Sequence, residues 1–163
     1  MQTETSLQEP QEHIFTVEDL NRYDYASKGQ RFLNYLIDNL LMRYGMSYVT
    51  GTLIGYFLGS AFPEFANEIF YNTSQFTLLV LGYVVAIFNY VIYYTTCEKL
   101  FKGYTLGKLI TGTRAVREDG QELTFRDAFM RSLIRIIPFE AFSGLGETPW
   151  HDGWTKTMVI KSR

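Results

Sequence analysis

The sequence predicts an all-α integral membrane protein, with two transmembrane helices, an interfacial amphipathic helix and a small cytoplasmic antiparallel β-sheet. Two features of the charge pattern support this prediction. All 15 Lys and Arg residues lie outside residues 44–98, and within that stretch residues 76–96 have no ionisable side chain other than tyrosine. Hydrophobic residues make up 47% of the 163 residues and charged residues 20%, which excludes a chain that is disordered over its whole length.

The most apolar segment predicts a transmembrane helix over about 76–97. At roughly 1.5 Å per residue, residues 76–96 span about 31 Å, which matches a hydrocarbon core of about 30 Å. Their Leu, Ile, Val and Phe side chains favour insertion into a bilayer by roughly 3–7 kcal/mol in total. The alternative is a buried helix of a soluble protein, but such helices rarely run this far without a charge.

A second span, residues 44–62, precedes the first one along the chain. Gly51, Gly55 and Gly59 are spaced four residues apart within it and therefore lie on one helix face. Small residues on one face allow another helix backbone to approach closely, which is how helices associate in lipid. The partner of this face is either the helix at 76–97 or a second copy of the chain.

Helical spacing of apolar residues continues upstream of this span, so that one helix over about 31–62 is predicted. Arg31, Asn34 and Asp38 lie on one face of it, because their positions correspond to i, i+3 and i+7. Two interpretations of Asp38 remain open at this point. It is either a solvated interfacial aspartate paired with a nearby arginine, or part of a polar site that faces the interior of the helix bundle.

The distribution of charge also predicts the topology. The loop at 63–75 contains Glu64 and Glu68 and no cation, whereas eight Lys or Arg residues lie within 99–135. By the positive-inside rule, both termini lie in the cytoplasm and the short acidic loop lies outside.

After the helix at 76–97, the pattern predicts a β-hairpin over about 109–125 and a further strand over about 155–161. The hairpin is indicated by the dipeptide Asp119-Gly120, since a type I′ turn requires positive φ at both central residues. The C-terminal strand is indicated by its β-branched residues, and it adds to a hairpin that is only marginally stable alone.

The segment that leads into this hairpin resembles a phosphate-binding loop only superficially. Three residues separate Gly103 from Gly107 where a P-loop has four, and Leu109 stands where Ser or Thr must bind magnesium. We therefore expect a tight turn that leads off the membrane into a strand.

An interfacial amphipathic helix is predicted over about 125–142. Its charged residues would cost roughly 10–14 kcal/mol to place across a bilayer, and its apolar residues recover only about 2–5 kcal/mol. The helix therefore lies in the interface plane. Two roles are open for Arg131 and Arg135: contact with anionic lipid headgroups, which we favour, or pairing with the carboxylates of Asp38 or Asp152.

Several classes of function are disfavoured by composition. A net charge of −2 argues against nucleic acid as a partner, and the single cysteine, Cys97, cannot form an intrachain disulfide. We expect no metal and no cofactor, because two histidines and one cysteine do not make a zinc site. The adjacent pairs Cys97-Glu98 and His151-Asp152 do not assemble a nucleophile, base and orienting group, so that an enzyme is not expected.

Taken in order, these residues resemble the RDD family of membrane proteins. The family is named for one arginine and two aspartates, which map here to Arg31, Asp38 and Asp152. The resemblance covers about residues 26–160 and includes a motif between the two aspartates, formed by Thr105, Gly107, Lys108 and Gly112. It implies a single membrane domain at 26–163 in the bacterial cytoplasmic membrane. The acid-rich composition of residues 1–25 predicts a polar and mobile segment before this domain.

Two functions follow as expectations. In the first, which draws on the transport role often proposed for the family, the chain is an oligomeric transporter or an ion- or proton-coupled transport component. Its polar cluster is then formed by Arg31, Asn34, Asp38, Arg131, Arg135 and Asp152. In the second, it is a non-catalytic membrane adaptor or scaffold, and the same cluster is a structural lock. Both expect a lipid bilayer with anionic lipids at the cytoplasmic face, and a second copy or another membrane protein as partner.

Overall fold

The structure is a computed structural model that describes residues 23–144, 146 and 148–163. The predicted mobile segment at 1–25 therefore lies outside the described residues except for its end. There, Tyr25 forms an antiparallel bridge with Ile160, and the Asp24 carbonyl accepts a hydrogen bond from the Lys161 N–H at 2.7 Å.

The predicted helix at about 31–62 corresponds to one helical column in three parts. Helix α1 (Lys28–Leu40) begins with a capping box between Ser27 and Gln30, in which each side chain bonds the backbone N–H of the other residue. A π-helical segment (Leu41–Met46) joins α1 to α2 (Ser47–Ala61). Such segments insert an extra residue into a helical turn and are frequent at functional sites.

The predicted helix at about 76–97 corresponds to α4 (Gln75–Leu100), which follows the short helix α3 (Pro63–Asn67) and a second π-helical segment (Glu68–Asn72). Within the described part of the chain, α4 is the one helix that is long and apolar enough to cross a membrane. Only 11% of its most apolar 18-residue window is buried inside the protein, which does not fit the core helix of a soluble protein. Helix α2 has 15 residues, fewer than the roughly 20 that cross a bilayer, so that the predicted span at 44–62 remains a prediction.

The remaining elements follow α4 along the chain. They are α5 (Leu106–Thr111), β1 (Thr113–Arg117), α6 (Phe125–Ile134), α7 (Glu140–Ser143), α8 (Trp150–Thr155) and β2 (Thr157–Lys161). Among them, α6 packs against α4. The two strands form an antiparallel sheet in which Thr113 pairs with Lys161 and Arg117 with Thr157. A small apolar core, formed by Ala26, Ala115, Leu123 and Val159, lies beside this sheet.

The predicted hairpin at 109–125 is wrong. The residues expected to form the tight turn before the hairpin, and the first residues of the hairpin itself, form the helix α5 instead. Strand β1 pairs with the C-terminal strand β2 rather than with the residues that follow Asp119-Gly120. The Asp119-Gly120 turn does form, and the Gly120 N–H donates to the Arg117 carbonyl at 2.8 Å. However, Gly120 has a φ of +78° while Asp119 does not lie in the left-handed region, so the turn is not of type I′.

The predicted helix at 125–142 is shorter than expected. Helix α6 ends at Ile134, before Pro138, and Phe139 has a positive φ of 71° where the separate helix α7 begins. The face that contains Arg131 is buried against α4, because Ala128, Arg131 and Ser132 are each 0% exposed. This side of α6 therefore does not contact lipid headgroups.

Candidate functional site: a buried polar network

Asp38 is the centre of one buried polar cluster, which we call the aspartate cluster. Asp38 lies in the last turn of α1 and is 1% exposed. The carboxylate accepts hydrogen bonds from the Tyr93 hydroxyl at 2.8 Å, the Thr105 hydroxyl at 2.7 Å and the Gly107 N–H at 2.8 Å. Asp38 thereby joins α1 to α4 and to the start of α5, through hydrogen bonds of the strong, charge-assisted kind.

The motif around Thr105 has a local structural explanation. Thr105 is the N-cap of α5, where its side chain accepts from the Lys108 N–H, and Gly112 ends the helix in a left-handed conformation at a φ of 68°. A Cβ atom on Gly107 would lie 2.5 Å from the backbone oxygen of Asn34. Glycine is therefore required at position 107 for α5 to approach α1 closely enough to donate to Asp38.

Asn34 secures the same contact between the helices from one turn earlier on α1. The residue is 6% exposed, and its side-chain amide is hydrogen-bonded to the hydroxyls of Thr111 and Thr113. Asn34 and Asp38 thus share one buried face of α1, as their spacing predicts, and that face contacts α5.

Glu98 is the centre of a second buried cluster, which we call the ionic network; its members are Glu98, Lys108, Arg131, Arg135 and Asp152. Glu98 is 0% exposed and lies in the last turn of α4. It accepts from Lys108 Nζ at 2.7 Å and from Arg131 Nε at 2.9 Å, and Arg135 Nη1 lies 3.0 Å from its Oε1 atom. One carboxylate therefore holds cations from α5, α6 and the residue that follows α6.

Arg131 extends this network to the C-terminal elements. It is 0% exposed, and its Nη1 atom donates to Asp152 Oδ1 at 2.5 Å and to the Thr157 hydroxyl. A second polar contact between α4 and α6 lies nearby, where the hydroxyls of Thr95 and Ser132 are 2.9 Å apart. Arg131 thus connects α4, α8 and β2, and a buried charge of this kind requires such partners.

For Arg131 and Arg135 the structure shows ion pairs within the protein, rather than the lipid contact that we favoured from the sequence. Arg131 pairs with Asp152, as one of the two alternatives expected, and with Glu98, which was not expected. Arg135 pairs with Glu98, and its guanidinium lies 4.4 Å from the centroid of the Tyr94 ring.

A histidine–carboxylate pair borders the network. His151 Nδ1 is hydrogen-bonded to Glu140 Oε1. Burial, together with the positive charges of Arg135 and Arg131, lowers the pKa of His151 well below its usual value. Burial likewise raises the pKa of Glu140, against the opposing effect of Arg135. Both groups are therefore shifted toward their neutral forms.

Lys108 is affected by its surroundings in a similar way. Burial lowers the pKa of Lys108 to about 8, with the Glu98 carboxylate opposing this effect and the two arginines adding to it. The ionic network contains three cationic side chains and two carboxylates.

Five of the six residues of the predicted polar cluster line one cavity of about 90 Å³; they are Arg31, Asn34, Asp38, Arg135 and Asp152. The two aspartates for which the family is named belong to different clusters, because Asp38 accepts from Tyr93 and Asp152 from Arg131. The Nε atom of Arg31 donates to the Ala26 carbonyl at 3.1 Å. The cavity lies between these separate clusters.

The glycines of α2 at positions 51, 55 and 59 make no close contact with α4. A Cβ atom at any of Gly51, Gly55 and Gly59 would find no atom within 4 Å, and the same holds for Gly82 on α4. Gly51 and Gly55 instead line a groove between α2 and α4, together with Gly82.

Sequence reasoning did not single out Glu98 as a site residue. It treated this residue only as a neighbour of Cys97, although an acid at the end of a long apolar helix, followed by basic residues, is a signal that could have found it. Tyr93 was missed for a different reason, since nothing in the spacing of a tyrosine-rich segment indicates which hydroxyl meets Asp38.

Among the described residues, no group of three or more His, Cys, Asp and Glu side chains is arranged to hold a metal ion. Comparison with family models shows that the model described as RDD family matches residues 25–159. Comparisons with curated proteins and with solved structures gave no match.

Proposed function

The chain belongs to the RDD family, and from this premise we propose that it is a non-catalytic membrane scaffold whose buried polar residues lock the first helix and the C-terminal elements onto α4. Family membership and the apolar helix α4 together point to a membrane protein. In the proposed role, the protein presents a rigid assembly to another membrane component.

The engagement of Asp38 is the observation that supports this proposal most directly. The carboxylate is buried, and three donors from α4, the α5 N-cap and the α5 backbone surround it. Three of the roughly four acceptor positions of the carboxylate are occupied, so that a cargo ion would have to displace some of these donors to be coordinated by both oxygens, and leaving buried donors without partners is costly. An arrangement of this kind suits a lock between helices.

The topology forms part of the proposal. We place α2 across the bilayer beside α4 and both termini in the cytoplasm of a bacterial cell, with the chain in the cytoplasmic membrane. Exposed apolar side chains along α2 support this placement, among them Leu53 at 63% and Phe57 at 60%. The absence of Lys and Arg from residues 44–98 supports the orientation.

The proposed partners are a second copy of the chain or another membrane protein, together with anionic lipids at the cytoplasmic face. The open glycine face of α2 supports a helix as partner, because small residues let helix backbones approach in lipid.

A second candidate function is a transport component, and the cavity favours it. Arg31, Asp38 and Asp152 all line this space of about 90 Å³. Two spans do not enclose a pathway, so that this function requires an oligomer.

The Asp38→Asn variant separates the two functions. For a scaffold, we expect the variant to lose about 2–3 kcal/mol of stability, because the carboxylate that accepts three hydrogen bonds becomes an amide that must donate. Thermal unfolding of the purified full-length protein in detergent measures this loss. Asp119→Asn is the matched control, because Asp119 forms an exposed pair with Arg117 and its variant should leave the unfolding midpoint unchanged.

Flux in proteoliposomes completes the test. For a scaffold, pH-dye flux and counterflow in vesicles with the wild-type protein should equal those in protein-free vesicles. Flux that the wild type supports and Asp38→Asn abolishes, with the unfolding midpoint unchanged, would contradict the scaffold and establish the transport component.

A further inference from the structure

A groove of about 480 Å³ lies between the first helical column and α4, and we call it the Arg43 groove. Arg43 and Ser47 belong to one of its walls, and Gly82 and Asn89 belong to the other. Neither Asp38 nor any member of the ionic network lines it. Its volume falls within the roughly 300–1,000 Å³ that is typical of sites for small ligands.

Asn89 on α4 is the first observation that indicates a ligand. The residue lines the Arg43 groove and is 7% exposed, and its Oδ1 atom accepts from the Thr50 hydroxyl at 3.2 Å. Its Nδ2 atom is buried and forms no hydrogen bond with any described residue. Buried side-chain amides nearly always find a partner, and a bilayer core holds no water to supply one. We therefore expect an acceptor from outside the described chain beside Asn89.

Arg43 is the second observation, and it comes from the other wall. Its side chain is exposed, and no hydrogen bond or ion pair joins it to another residue in the described part of the chain. No Asp or Glu lines the groove, and Arg43 is its one charged lining residue among those described. The groove thus carries a positive charge that no carboxylate in its lining balances.

The lining changes in polarity along the groove. Arg43 lies immediately before the apolar stretch at 44–62, whereas Leu79 and Tyr83 belong to the apolar half of α4 and are 56% and 66% exposed. With α2 and α4 across the bilayer, as in the proposed function on which this site rests, Arg43 lies at the membrane surface and Leu79 lies deeper. The groove then leads from the headgroup level toward the hydrocarbon core.

We propose that the Arg43 groove binds one anionic phospholipid of the adjacent leaflet. Its phosphate contacts Arg43, because a guanidinium matches the oxygens of a phosphate in charge and in geometry. An ester carbonyl supplies the acceptor for Asn89 Nδ2, and the acyl chains lie along Leu79 and Tyr83. The charged, polar and apolar parts of the lipid thus follow the order of the groove lining.

A helix of a second copy fits this groove less well. In a two-fold dimer with its axis along the membrane normal, both Arg43 side chains lie at the same depth, and no acid lines the groove to balance them. Gly51 and Gly55, which favour close helix packing, line the adjoining section of the groove and not this one. A lipid at Arg43 therefore leaves the glycines of α2 available to a helix.

The test uses the purified full-length protein in nanodiscs that contain equal amounts of phosphatidylglycerol and phosphatidylcholine. After transfer into detergent, native mass spectrometry identifies the lipid that each protomer retains. We expect one phosphatidylglycerol per protomer in preference to phosphatidylcholine. Phosphatidylglycerol added to delipidated protein should also raise the thermal unfolding midpoint, because a ligand that binds the folded state stabilises it.

Two variants remove one contact each. Arg43→Gln changes an exposed residue and should weaken phosphatidylglycerol binding by about tenfold, as expected for the loss of one charge-assisted contact. Its matched control is Arg126→Gln, because Arg126 is also exposed, on α6, and does not line the groove. Asn89→Leu should weaken binding to a similar extent without lowering the unfolding midpoint of the delipidated protein, since it removes an unpartnered amide.

The pattern across the variants decides the outcome. Loss of the lipid in Arg43→Gln and Asn89→Leu, with retention in Arg126→Gln, supports the site. Equal retention of both lipids by the wild type overturns it, as does retention that no variant changes. Equal losses in Arg43→Gln and Arg126→Gln overturn it in favour of general attraction to an anionic surface.

A second copy in the groove gives a different result. Arg43→Gln and Asn89→Leu would then shift the protein between dimer and monomer in light scattering without changing lipid retention, which overturns the lipid site. Failure of the scaffold function is read separately, from Asp38→Asn and from flux, because Asp38 does not line the Arg43 groove.

Discussion

The two halves of α4 lie in opposite environments. Between residues 75 and 88 none of its side chains is buried, and apolar ones such as Leu81 and Phe88 are 49% and 64% exposed. Between residues 89 and 100 the buried residues are Asn89, Tyr93, Tyr94, Thr95 and Glu98, every one of them with a polar group. One helix thus exposes its apolar residues and buries its polar ones, which is the reverse of a soluble protein.

This contrast shows that two different media stabilise the molecule. The apolar half of α4 is uncovered by the described chain and requires lipid or another protein to remove it from water. The polar half is held by specific hydrogen bonds and ion pairs, so that its stability depends on each partner being present. Substitutions in the two halves should therefore have unequal effects, and the predictions below follow from the largest to the smallest.

The largest effect is expected for Glu98→Gln. The change leaves three buried cations without their shared carboxylate, and an uncompensated buried charge of this kind costs about 3–5 kcal/mol. Chemical unfolding of the protein in detergent micelles measures the loss. The control is Glu64→Gln, which changes an exposed acid and should leave stability within about 0.5 kcal/mol of the wild type. Equal losses for both variants would show that the ionic network does not stabilise the fold.

A smaller effect is expected for Gly107→Ala. The new methyl group would lie 2.5 Å from the Asn34 backbone oxygen, so that α5 must move away from α1 at a cost of about 1–3 kcal/mol. The control is Gly82→Ala in the apolar half of α4, where a Cβ atom finds no atom within 4 Å. Unfolding midpoints of the two variants in the same detergent check the prediction, which fails if Gly107→Ala is as stable as its control.

The polar part should also respond to acid. Because the pKa of His151 is lowered on folding, the unfolded chain binds a proton near its ordinary value of 6.5 and the folded chain does not. Stability contributed by neutral His151 is therefore present above pH 6.5 and lost as the pH falls below it, by at most about 1.4 kcal/mol per pH unit. Unfolding between pH 7 and 5 tests this, because His151→Gln should reduce the slope.

Glu140 acts with the opposite sign in the same measurement. Its pKa is raised on folding, so that the folded chain binds the extra proton and its contribution to stability decreases as the pH rises above its ordinary value of 4.5. Glu140→Gln should therefore steepen the loss of stability in acid. An unchanged slope in His151→Gln would show that His151 is not the group that titrates.

The smallest effect on the protomer is expected for Gly55→Ala. The position is open, and alanine is the better helix former by about 1 kcal/mol, so stability should be unchanged or slightly higher. If the glycine face binds a second copy, the same change should shift the protein toward the monomer in light scattering. Unchanged assembly would leave the glycine face without a role in association.

Much of the helical framework could be predicted from the sequence. The expected helices at about 31–62 and 76–97 correspond to the columns Lys28–Ala61 and Gln75–Leu100, and the resemblance to the RDD family is confirmed by the match over residues 25–159. The shared face of Asn34 and Asp38 was likewise predicted. These features depend on spacing along a helix and on runs of apolar residues, which are local properties of the chain.

The polar site was predicted only in part, because its partners are distant in the chain. The pairing of Arg131 with Asp152 was one of two alternatives, and lipid contact was the favoured one. The hairpin at 109–125 was wrong, because turn chemistry at Asp119-Gly120 does not decide which strand is the partner of β1. The buried β2 segment near the C-terminus was the partner instead.

The amino-acid sequence alone determined that part of this chain is too apolar and too free of cations for water, and that helices fill that part. Only the tertiary structure decided that Glu98, Lys108, Arg131, Arg135 and Asp152 form one network and that Asp38 belongs to another. The physical reason is that hydropathy sums over neighbouring residues, whereas a buried charge must find its partner wherever the fold brings it.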